Sequence, residues 1–73
     1  MERRLRWQCR RGLLELDLLL LRFVDEQYFT LDADNQQVFQ ALLKLPDQTL
    51  LSWVQGQEIP ADEFKNIIIN ITQ

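Results

Sequence analysis

The stretch Arg10-Arg11-Gly12-Leu13-Leu14-Glu15-Leu16-Asp17, running on into Leu18-Leu19-Leu20-Leu21, decides how this chain folds. From Leu13 to about Tyr28, the apolar positions Leu13, Leu16, Leu20, Phe23 and Val24 recur at helical spacing. Leu14, Leu18 and Leu21 add a second stripe, so the pattern predicts a central helix contacted on two sides. Gly12 stands where this helix would begin and reads as a hinge or as the end of a preceding one. Two arginines and two carboxylates inside so apolar a segment have no stability rationale. An unpaired buried charge is costly, so these groups must reach water or meet a partner. The cluster points to protein recognition before catalysis.

Outward from this stretch, helices alternate with short punctuation. Glu2 to Arg10 predicts a first helix, with Leu5 and Cys9 one turn apart and Trp7 on another face. Thr30 to Asp34 reads as a turn, and the Asp32 carboxylate is placed to cap the helix after it. Val38, Phe39, Leu42, Leu43 and Leu45 mark that third helix, closed before Pro46. Asp47 is the expected cap of a short fourth helix through Leu50, Leu51, Trp53 and Val54, with Gly56 ending it. Pro60 and Asp62 introduce a last helix through Phe64, Ile67, Ile68 and Ile71. Its β-branched run would also suit a strand, but a lone strand has nothing to pair with. The expectation is one all-α domain over residues 1–73, a small compact bundle of about five short helices.

Composition narrows the function classes. At 73 residues the chain lies near the lower limit of what folds without staples. A hydrophobic fraction of 47% with 26% charged residues belongs to globular rather than disordered chains. Cys9 is the sole cysteine, which excludes an internal disulfide and points to a reducing, cytoplasmic setting. The basic start resembles a secretory signal, but Glu15 and Asp17 interrupt the apolar run that follows and no small-residue cleavage site appears. The same acids leave Leu18 to Leu21 far short of the roughly 20 residues a membrane span needs, so no membrane insertion is expected. The net charge of −3 hides an asymmetry: residues 1–11 carry five arginines against Glu2, and residues 12–73 carry three cations against ten acids. Such a field selects oppositely charged partners.

Catalytic groups are scarce. There is no histidine, the usual base at neutral pH. Arg10 and Arg11 beside Cys9 would lower a thiol pKa, but no residue completes a nucleophilic or metal site, and a packed small hydrophobe is the favoured reading. Glu15 and Asp17, two apart, lie on different faces of a helix and make no carboxylate pair. No glycine-rich phosphate loop exists, so the chain is not expected to be an enzyme or to hold a cofactor stably. A nucleic-acid reading would set the arginines on phosphates and Trp7 on a base. The acidic body and the lack of a recognised motif argue against it. Tryptophan and arginine together are instead the residue types enriched at protein interface hot spots.

In its full setting, Trp7-Gln8-Cys9-Arg10-Arg11-Gly12-Leu13-Leu14-Glu15-Leu16-Asp17 resembles the Arg-Gly-x-x-Glu signature of the SdhE family, the small flavinylation factors for succinate dehydrogenase. The likeness continues through Leu42-Leu43, Asp47 to Trp53 and Pro60-Ala61-Asp62, in the expected order. Two departures stand out: many members have proline where this chain has Arg22, and acidic or aromatic residues after that point are replaced in part, as at Val24. The resemblance implies a bundle of about five helices. It also implies an assembly chaperone that binds the flavoprotein subunit of succinate dehydrogenase, with fumarate reductase as a second candidate, and promotes covalent attachment of FAD to a histidine of that client. Arg11, Gly12 and Glu15 then carry the family motif. Some relatives have been assigned an antitoxin role instead, which is the alternative.

The motif residues suit docking. Glycine at 12 leaves room for a partner backbone, and Arg11 offers a planar fork to a carboxylate or carbonyl. Glu15 lies one turn beyond Arg11, so the two would pair if Gly12 does not break the helix. The expected partner-facing set is Trp7, Arg10, Arg11, Gly12, Glu15 and Asp17.

Overall fold

In the computed structural model, which describes residues 2–73, Leu16, Leu20, Phe23 and Val24 all lie on the buried side of α2 (Leu14–Glu26). The helix carries Glu15 and Asp17 in its first turn, where the helix dipole favours them. It is the spine of the bundle. Around it stand α1 (Glu2–Gln8), α3 (Ala33–Leu42), α4 (Asp47–Val54) and α5 (Lys65–Thr72), with 3₁₀ turns at Tyr28–Thr30 and Asp62–Phe64. Among the described residues there is no strand. The all-α expectation holds, and the Cα radius of gyration of 11.1 Å matches the about 11 Å of a compact chain of this length.

One continuous core joins every helix. Leu5 and Cys9 enter it from α1 and its end, Phe39, Leu42 and Leu43 from α3, Leu50 from α4, and Ile67, Ile68 and Ile71 from α5. Phe39 is its centre, with ring centroids 4.9 Å from Phe23 and 5.5 Å from Tyr28. The isoleucine run is a helix because Ile67, Ile68 and Ile71 share one face that α2 and α4 cover. Packing has overridden the β preference of single residues. Trp53, half-buried, stacks at the rim on Phe64 with centroids 5.7 Å apart.

Three details differ from the sequence expectation. The second stripe of α2 is not covered: Leu14 is 75% and Leu18 59% exposed, with Leu21 half-buried. The four other helices pack on one side of α2, and among the described residues no element covers the other. Next, Asp47 is not the cap of α4. Pro46 occupies the cap position with extended backbone, and Asp47 lies inside the first turn with its carboxylate turned to another residue. Asp32, by contrast, does cap α3, accepting from the Asn35 amide at 2.9 Å. Lastly, α1 stops at Gln8, because the Cys9 and Arg10 amides turn back to the Arg6 and Trp7 carbonyls at 3.1 and 3.0 Å.

Arg22 ties down the end of α5. Its guanidinium donates to the Ile71 and Gln73 carbonyls at 3.2 and 2.6 Å, a cation on the negative end of a helix. No helix among the described residues is long and apolar enough to cross a membrane.

Candidate functional site

The corner between α1 and α2 gathers most of the residues the sequence singles out. Gly12 makes it possible: its φ of +79° lies in the left-handed region that side-chain-bearing residues avoid, and the space where a Cβ would project is open. The chain therefore leaves α1, reverses at Gly12 and enters α2 at Leu14. α2 begins without a side-chain cap at Leu13. Its Asp17 reaches backward instead, accepting from the Arg11 amide at 2.7 Å and the Gly12 amide at 3.2 Å.

Arg11 points inward. Its Nε donates to the Gln8 carbonyl at 2.9 Å. One terminal nitrogen donates to Asp47 Oδ1 at 3.0 Å and to the Leu45 carbonyl at 3.4 Å, and the other to the Leu43 carbonyl. Only 14% of the side chain is exposed. The pairing of Arg11 with Glu15 across a helical turn does not form, because Gly12 breaks the helix between them and Asp47 takes the guanidinium. Arg6 pairs with Asp25 on α2, a half-exposed bridge of the kind that contributes little.

Facing outward are Trp7, 71% exposed, Arg10, Gly12 and Glu15. Among the described residues, no hydrogen bond or ion pair engages the side chains of Arg10 or Glu15. Leu14 and Leu18 belong to the same surface, flanking Glu15, and sequence reasoning assigned them to a second contact inside the bundle. Their spacing opposite Leu16, Leu20 and Phe23 was the available signal. Asp47, expected as a cap, is instead the carboxylate that holds Arg11.

Cys9 is fully buried beneath this corner. Burial pushes its thiol up to about 11, and the nearby Arg11 and Arg6 guanidiniums offset only part of that. It stays protonated at neutral pH and packs as a small hydrophobe, as its place on the Leu5 face predicts.

This fold defines a class: a small all-α bundle with a side-chain-braced corner presenting mixed charged and apolar groups. A family model described as "Flavinator of succinate dehydrogenase" matches residues 3–73. A protein of Coxiella burnetii named FAD assembly factor SdhE is 44% identical over 72 residues, covering 97% of this chain and 88% of its own length. Proteins of the same name from Colwellia psychrerythraea and Pseudomonas aeruginosa are 43% and 47% identical, over 93% and 82% of this chain and 75% and 71% of theirs. The chain belongs to this family, the one its Arg11-Gly12 to Glu15 motif resembles.

Proposed function

We propose that this protein is an assembly chaperone that docks on the flavoprotein subunit of succinate dehydrogenase, or of fumarate reductase, and promotes covalent attachment of FAD to it. The observation that carries this reading is the family match across residues 3–73, with relatives named for FAD assembly. The docking face is the α1–α2 corner, with Trp7, Arg10, Gly12 and Glu15 outward, Leu14 and Leu18 beside them, and Arg11 and Asp17 forming its inner wall. An exposed tryptophan and exposed leucines around an unpaired carboxylate are the apolar and polar parts of a protein interface.

The chemistry is assigned to the client, and the protein works in the cytoplasm. The sequence offers no histidine, and its one thiol is sealed in the core. FAD belongs to the client rather than to this chain. Two surface clefts, one along Leu31, Asn35, Asn66 and Asn70 and one along Asp34, Val38 and Glu63, are lined by no arginine or lysine for a pyrophosphate. A helper of this kind acts by binding the attachment-competent arrangement of its client more tightly than the open one. Raising a minor state from 1% to half-populated takes only about 2.7 kcal/mol of differential binding, within reach of one modest interface. The test is co-purification. A tagged copy is expected to retain a protein of flavoprotein-subunit size, and recovery of the tagged protein without it, from cells rich in that subunit, refutes the reading.

A further inference from the structure

Arg11 is where four helices meet. Its Nε holds the Gln8 carbonyl at the end of α1, and its terminal nitrogens hold the Leu43 and Leu45 carbonyls after α3 and the Asp47 carboxylate in α4. Its backbone amide is held by Asp17 of α2. Every nitrogen of the guanidinium is thus engaged. Four of its five N–H donors are used within the fold and the side chain is only 14% exposed, so a bidentate grip by a partner's carboxylate would displace these acceptors, and a buried acceptor left unmade is costly. Asp17 grips two successive amides, those of Arg11 and of the left-handed Gly12. The turn is therefore held from one side by α2 and from the other by the α3–α4 connection.

We propose that Arg11, Asp17 and Asp47 are positioning residues: they do not touch the partner but hold Gly12 in its left-handed turn, and so fix where Trp7 and Glu15 stand relative to each other. The placement follows from the bonds. The Gln8 carbonyl, one residue from Trp7, and Asp17, two residues from Glu15, are the points where the brace grips α1 and α2. The interface role of Trp7 and Glu15 rests on the docking function proposed above. The brace itself does not.

Two measurements test this separately. In the isolated protein, amide exchange at Gly12 is expected to quicken about tenfold or more in Arg11→Lys and in Asp17→Asn, since each weakens a bond that holds the turn. Both variants keep side-chain size close to the original. Unchanged exchange at Gly12 in both overturns the brace whether or not any client is bound. The second measurement is a double-mutant cycle on affinity for the flavoprotein subunit, using Arg11→Ala and Asp47→Ala. Affinity is expressed per folded molecule under conditions where circular dichroism shows each variant folded, so lost stability alone does not move it. Each single change is expected to weaken binding about tenfold, and the pair no more than either alone. If Arg11→Ala abolishes binding while Asp47→Ala leaves it intact, or if the two losses multiply, Arg11 contacts the partner and the proposal falls. Should the wild-type protein not bind the subunit, the docking reading fails and the exchange measurement alone decides the brace.

Discussion

Gly12 and Gly56 adopt nearly the same backbone conformation, φ +79° and +76°, and neither has an atom close to where a Cβ would stand. What surrounds them differs. At Gly56 the turn closes on backbone alone: the Gly56 amide donates to the Trp53 carbonyl at 3.3 Å and the Gln57 amide to Ser52 at 2.9 Å. That bond pair is the Schellman ending, a local device that stops α4 and satisfies its last carbonyls. At Gly12 the amides are taken by a carboxylate of the next helix, and the adjacent arginine is spent on groups 32 to 36 residues away. One glycine ends a helix. The other is a shaped corner held by long-range polar bonds, and the family motif falls on it. Local self-sufficiency at one turn and outside bracing at the other is the difference expected between a structural turn and one whose shape is used.

The largest effect expected from breaking this contrast is Gly12→Arg. It places a bulky charge on the open face and strains the left-handed turn by about 1–2 kcal/mol. Client capture should be lost while the helical circular dichroism signal stays largely intact. An unfolded variant would show that the turn is needed for folding rather than for docking. Next in size is Cys9, buried beneath the first corner. Cys9→Ala should lose about 1 kcal/mol in denaturant melts, and Cys9→Ser more, because the hydroxyl would be buried among apolar groups. Both should support flavinylation, and a stable Cys9→Ser protein that binds its client without promoting attachment would make the thiol functional.

Gly56→Ala sharpens the comparison from the other side. It should cost about 1 kcal/mol of stability and leave client binding unchanged, so weakened binding would erase the distinction between the two turns. The smallest effect concerns alkaline pH. The Cys9 thiol is raised from 9.0 to about 11 by burial, so above pH 9 the unfolded chain releases its proton before the folded one does. Stability tied to this group is complete below about pH 9 and falls as pH rises toward 11. The stability gap between wild type and Cys9→Ala in equilibrium melts should shrink as pH rises across that window, and a constant gap would contradict the assignment.

The bundle was legible in the sequence because its helices carry their cues locally. Leucine and isoleucine spacing marked α2 and α5, Asp32 announced the start of α3, and Gly56 the end of α4. Boundaries moved by a residue or two where backbone turns tightened, as at Gln8 and Glu26. The braced corner was only half legible. Arg11, Gly12 and Glu15 stood out by type and spacing, but a helical reading paired Arg11 with Glu15, because the partners it has on Leu43, Leu45 and Asp47 are distant in sequence. Leu14 and Leu18 were misplaced for a related reason. Periodicity tells which residues share a face, and only the assembled fold tells which face is left without a neighbour.

The most direct test is covalent flavin in the client itself, read as in-gel fluorescence of the succinate dehydrogenase flavoprotein after denaturation. Cells lacking this protein should lose that signal, the wild-type chain should restore it, and the Gly12→Arg chain should not. Undiminished fluorescence in the deletion strain, with no substitute factor present, would contradict the account.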